Sequence, residues 1–165
     1  MPGLEEECPE VYVQPGESHL VRGPAILRTV LGSCVGVTFW HERLGIAALC
    51  HPMLPRHPEM TRGRLPVAAA RRYVDFAIRD LAVQFDSLGA RRRDITVKLF
   101  GGADVLTVAK HANDRPTVGR LNREMAVEIL REEGFDVAAS RLGGLRGFHI
   151  DFYTTTGEVR LRQLG

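Results

Sequence analysis

The stretch TVLGSCVGVTF, Thr29–Phe39, breaks a run of strand-forming residues with Gly32-Ser33-Cys34 and then resumes it at once. Glycine and serine pack poorly inside a strand, so the break reads as a turn between two strands rather than as strand interior. Outward from it, PAILRTVL (24–31) and VGVTFWH (35–41) are those two strands, and GIAALCHPML (45–54) follows a tight turn at Leu44-Gly45. All three are short, apolar and rich in β-branched residues, as buried strands are. EVYVQ (10–14) alternates and predicts a first short strand, with residues 1–10 as a flexible tail before one domain over 11–165.

Downstream the period changes. Val67, Ala70, Val74, Ala77, Leu81, Phe85 and Leu88 recur at three- and four-residue steps, predicting one helix from Pro66 to a stop at Gly89. The Pro-rich segment before it, 54–65, is a long loop of the kind used as a lid or docking surface. DITVKLF (94–100) is a strand ending at Gly101-Gly102. A second helix starts near Thr117, with Val118, Leu121, Met125 and Ile129 on one face and Gly134 closing it. FDVAASRL (135–142), FHIDFYT (148–154) and TGEVRLRQL (156–164) are further strands. Strands, helix, strand, helix, strands is the order of an α+β protein: a single-domain layered sandwich with a mixed or antiparallel sheet and two main helices.

Composition narrows the function classes. With 44% hydrophobic and 25% charged residues, the 165-residue chain suits one soluble globular domain. The formal net charge of +2 gives no electrostatic case for nucleic acid. No window is long and apolar enough for membrane insertion, and the acidic N-terminus lacks the pattern of a secretory signal. Three cysteines, Cys8, Cys34 and Cys50, form no framework spacing, which predicts a reduced, cytoplasmic protein with a free thiol.

Cys34 sits at the turn, where a side chain is held rigidly, as at the nucleophile elbow of hydrolases. Backbone N–H groups around Gly32 and Ser33 are then natural donors to an oxyanion. His51 lies one hairpin away, within reach of the thiol if the strands are neighbours. A nearby imidazole can draw a thiol toward the thiolate that attacks acyl carbons. A buried structural cysteine and a histidine satisfied at a strand end remain the plain alternatives. Zinc fails on spacing: Cys34, Cys50, His51 and His57 have no C-x₂-C or H-x₃-H pattern. Gly101 and Gly102 lack the spacing of a phosphate loop and instead suggest close backbone approach beside a site.

Several segments together resemble the chemoreceptor glutamine deamidases of bacterial chemotaxis, the CheD family. They are TVLGSCVGV (29–37), HPMLP (51–55), RYVDFAI (72–78), LGARRRDITVKLFGGADV (88–105), the Gly119–Asn122 stretch and LGGLRGFHIDFYTTTGEV (142–159). The resemblance implies hydrolysis of receptor glutamine side chains to glutamate, with Cys34 as nucleophile, His51 as base and Thr29 as the third polar residue. It implies a sandwich similar to cysteine-dependent deamidating toxins and no metal or organic cofactor. The implied partners are methyl-accepting chemotaxis receptors and the chemotaxis phosphatase CheC. The chain departs from the family pattern at Cys50, at Leu121 and at Phe148-His149. Two other functions share its motifs: a non-catalytic adaptor of the phosphatase, and another Cys-His acyl-transfer enzyme.

Overall fold

The computed structural model describes residues 8–58, 65–105 and 115–165; part of the expected tail (1–7) and of the expected lid loop (59–64) lies outside them. Among the described residues, nine strands form two mixed sheets. In one, β1 (Glu10–Tyr12), β3 (Ile26–Leu31), β8 (Phe148–Tyr153) and β9 (Val159–Gln163) lie in the order β1-β3-β8-β9. In the other, β2 (Ser18–Arg22), β4 (Val35–His41), β5 (Ile46–Cys50), β6 (Thr96–Gly101) and β7 (Val137–Leu142) run β2-β5-β4-β6-β7. The pairs β1/β3 and β6/β7 are parallel and the others antiparallel.

Helices α2 (Val74–Ser87) and α3 (Val118–Glu132) cover the outer face of the five-stranded sheet. The result is sheet on sheet on helices, an α+β layered sandwich as the element order predicted. Covered on both faces, β4 and β5 are almost wholly buried, hence their near-continuous apolar sequence. Val35, Val37, Phe39, Ile46, Ala48 and Cys50 pack toward the helices. Ala47 and Leu49 pack toward the other sheet, against Leu27 and Phe152. Because side chains alternate along a strand, this parity fixes which face every neighbouring residue must take.

Three expectations change. The helix foreseen from Pro66 is two pieces, α1 (Val67–Ala70) and α2, separated at Tyr73, whose backbone is extended. The Arg72 carbonyl accepts from Met53 and Leu54 N–H (2.7 and 3.0 Å), and Val74 N–H donates to the Leu54 carbonyl (2.8 Å). Strand-like pairing with the segment after His51 thus outbids the helical bonds. In α3 the buried face is Gly119, Asn122, Ala126, Ile129 and Leu130, whereas Val118 and Leu121 are exposed. Met125 and Ile129 do pack into the core as expected, but in the first turns the small Gly119 and the amide Asn122 face the sheet in place of Val118 and Leu121 and let the helix approach it. Finally, β2 was not anticipated, since Ser18, His19 and Arg22 hide its alternation.

The opening stretch crosses between layers. β3 belongs to one sheet and β4 to the other, so Gly32–Cys34 carries the chain across the end of the sandwich. A second crossing, Gly143–Gly147 between β7 and β8, lies beside it: a Cβ on Gly147 would stand 2.2 Å from the Leu31 carbonyl oxygen.

Candidate active site

The register places Cys34 and His51 on one face. Val37 pairs with Cys50, and Val35 N–H donates to the Pro52 carbonyl (3.3 Å), so Gly36 stands opposite His51. Residues opposite each other in a ladder share a face, and Cys34, two positions before Gly36, shares it too. That face looks between the sheets: Cys34 packs against Leu31, Phe100, Phe148 and Ile150. At the position between them, Gly36 has no side chain, and a Cβ there would meet Leu31 at 2.9 Å. Thr29, on the inward parity of β3 with Leu27 and Leu31, faces the same interior from the opposite sheet.

Thr29 and His51 are joined. Thr29 Oγ1 lies 2.7 Å from His51 Nδ1 and donates to the Val13 carbonyl, also at 2.7 Å. A hydroxyl has one hydrogen, so with it given to Val13, Nδ1 must carry the imidazole proton and donate to Thr29. Nε2 is then the unprotonated nitrogen. It is buried and has no hydrogen-bond partner, so the thiol and imidazole share a face but no hydrogen bond. The backbone of His51 is held as well: its N–H donates to the Glu17 carbonyl (2.9 Å) and its carbonyl accepts from Gly16 N–H (2.7 Å).

Burial sets the protonation states. Desolvation lowers the His51 pKa to about 4, against smaller raising effects of the Val13 carbonyl and Glu17. Desolvation raises the Cys34 thiol, opposed by its own backbone N–H. The resting pair is therefore a neutral thiol and a neutral imidazole, not the preformed thiolate expected from proximity alone. Cys50 faces the helices and is pushed up to about 12 by burial, which makes it inert.

The turn is clamped through its carbonyls. Gly32 O accepts from Ala103 N–H (3.0 Å), Ser33 O from the Asn122 side-chain amide (3.0 Å), and Cys34 O from Gly102 N–H (2.8 Å). Among the described residues, none of the Gly32, Ser33 and Cys34 N–H groups donates to another residue. Gly101 and Gly102 have φ of 96° and 63°, and a Cβ on Gly101 would stand 2.4 Å from the Cys34 carbonyl oxygen. Only glycine admits both the conformation and the approach. The turn holds its side chain without the backbone strain of a nucleophile elbow: no non-glycine residue described, Cys34 included, has positive φ. Cross-bridging rather than backbone strain fixes the turn.

With this geometry in place, comparison with known proteins is decisive. A family model for CheD chemotactic sensory transduction matches residues 53–163. The chain belongs to the CheD family. A Geobacter sulfurreducens protein named probable chemoreceptor glutamine deamidase CheD 2 is 41% identical over 164 residues, covering 99% of this chain and 96% of that protein. Proteins named probable chemoreceptor glutamine deamidase CheD from Oleidesulfovibrio alaskensis and Rhodospirillum rubrum are 36% and 34% identical, covering 99% and 98% of this chain and 78% and 86% of theirs. The Bacillus licheniformis hypothetical protein YfiH overlays at a TM-score of 0.47 with 12% identity, over 78% of this chain and 49% of that one, too loosely to bear on fold or chemistry.

Of the departures from the CheD pattern, Cys50 points to the opposite face of β5, Leu121 is exposed on α3, His149 bonds Asp151, and Phe148 lies under Arg141 in the cluster against which Cys34 packs. Two contributors were missed in the sequence. Val13 receives the Thr29 hydroxyl, and nothing in its own neighbourhood signals that. Asn122 lies three residues after Gly119 on the buried face of α3, and an amide at a buried helical position was the available signal.

Proposed function

We propose that this chain hydrolyses the side-chain amide of glutamines on methyl-accepting chemotaxis receptors, in the cytoplasm, releasing ammonia and leaving glutamate. The names of its full-length CheD relatives support the substrate, and the single observation that supports the chemistry is the 2.7 Å Thr29–His51 contact. It leaves Nε2 bare on the face shared with Cys34.

In the first step Cys34 Sγ attacks the amide carbon as Nε2 takes the thiol proton, and the carbonyl pair moves onto oxygen. The N–H groups of Ser33 and Cys34 receive that oxyanion. Collapse of the intermediate breaks the C–N bond, the imidazolium proton goes to nitrogen, and ammonia leaves a thioester. Water then attacks the thioester, giving its proton to Nε2, and the C–S bond breaks as sulfur recovers a proton. Thr29 holds the ring in the needed tautomer, as the third member of a triad does. Gly32, Gly101 and Gly102 support the turn without touching substrate.

Exposed Met53, Leu54, Leu121 and Leu145 belong to the segments that build this end of the sandwich, and offer apolar surface to a receptor helix. By family resemblance the same surface is proposed to engage the phosphatase CheC. Intact-mass analysis of a receptor cytoplasmic fragment after incubation separates the alternatives. Deamidation adds about one dalton per site, whereas peptidase activity cleaves the fragment and acyl transfer to an amine joins chains. An unchanged mass with retained phosphatase binding would favour the adaptor.

A further inference from the structure

Asn122 is fully buried in α3, and its amide nitrogen donates to two carbonyls from different elements: Ser33 O at 3.0 Å and Met53 O at 2.9 Å. One carbonyl immediately precedes the nucleophile and the other lies two residues beyond His51. The amide cannot be turned over, because its oxygen would then face both carbonyls. In the orientation adopted, Oδ1 is buried without a partner, a cost tolerated for the two donors.

The consequence lies in peptide geometry. A trans peptide is planar, with its C=O and N–H pointing in opposite directions; no cis bond occurs among the described residues. Fixing the Ser33 carbonyl toward Asn122 therefore aims the Cys34 N–H the other way. Ala103, by holding Gly32 O, does the same for the Ser33 N–H. The helix that carries Asn122 is itself seated by Gly119, where a Cβ would be 2.1 Å from the Ala103 carbonyl oxygen. Arg123 adds a hydrogen bond to Gly102 O at 2.7 Å.

We infer that Asn122 is a positioning residue for the oxyanion donor, aiming the Cys34 N–H by holding the Ser33 carbonyl and tying that peptide to the segment carrying His51. The inference rests on the proposed role of Cys34. Asn122 touches no substrate, so its effect belongs to the transition state, where charge gathers on the amide oxygen.

The test compares wild type, Asn122→Ala and Cys34→Ala at a temperature where each is folded by near-ultraviolet circular dichroism. Steady-state deamidation of a receptor fragment is read beside the rate of Cys34 alkylation by iodoacetamide, a displacement at carbon that develops no oxyanion. Asn122→Ala should lower kcat roughly 10- to 100-fold, with KM and the alkylation rate within about twofold of wild type by the same reasoning. A folded Asn122→Ala with wild-type kcat overturns the inference, as does a kcat loss matched by an equal loss of alkylation. Should Asn122→Ala not fold, Asn122→Leu, which fills the same space and donates no hydrogen bond, is read against the same criteria. If Cys34→Ala deamidates normally, the proposed function itself is what fails.

Discussion

The single hydrogen of the Thr29 hydroxyl decides the state of His51. Given to the Val13 carbonyl, it obliges Nδ1 to donate and leaves Nε2 as the unprotonated nitrogen. Burial then keeps both that ring and the Cys34 thiol neutral at rest. In a chain carrying Cys8→Ser, iodoacetamide should therefore modify Cys34 slowly at pH 7, more slowly than a free thiol, with a rate still climbing past pH 9. A rate already level below pH 7 would mean a preformed thiolate–imidazolium pair and contradict the neutral resting state. At this scale the sequence was informative about residue types and silent about environment. Gly-Ser-Cys and the histidine one hairpin later could be picked out from their neighbours. Val13, 16 residues before Thr29 in the chain, could not, because its contribution is a backbone carbonyl that any residue would supply.

Among the elements, α3 carries the lesson about legibility. Its boundaries follow from local chemistry: Thr117 caps the N-terminus by accepting from Arg120 N–H (3.1 Å), and Gly134 leaves it at φ 79°. Its buried face does not, because Gly119, Asn122 and Ala126 face inward on grounds of size and hydrogen bonding. The split between α1 and α2 is equally non-local, created by pairing between Met53–Leu54 and Arg72–Val74. Gly119 is where the seating of α3 can be probed. Gly119→Ala puts a Cβ 2.1 Å from a backbone oxygen, which cannot be relieved by a rotamer change. The helix start must move outward, costing roughly 1–3 kcal/mol as other overpacked sites do. Urea unfolding should show that loss, and kcat should fall with it as Asn122 is drawn from Ser33. A variant with wild-type midpoint and kcat would show that the tight approach does not hold the site.

Taken whole, the molecule buries His51 at the seam of two sheets, and its stability then depends on acid. His51 is unfavourable to protonate when folded, with a pKa of about 4 against 6.5 for the unfolded chain. Above 6.5 both states hold it neutral and nothing is lost. As pH falls from 6.5 toward 4, only the unfolded chain takes the proton, so stability drops, by on the order of 2 to 3 kcal/mol at pH 4.5. Urea midpoints at pH 7 and 4.5 should fall further for wild type than for His51→Gln, and equal falls would contradict the buried, neutral ring. The α+β order of elements was legible at this scale from periodicity and turn residues. The partition of strands between two sheets was not, since β3 and β4 are sequence neighbours that never pair. Everything proposed about function converges on one sulfur at that crossing. The direct measurement is ammonia release from a receptor cytoplasmic fragment by wild type and by Cys34→Ala, with the variant's fold checked by circular dichroism. The account predicts steady release by wild type and none above background from a folded Cys34→Ala; release by the variant at the wild-type rate would contradict it.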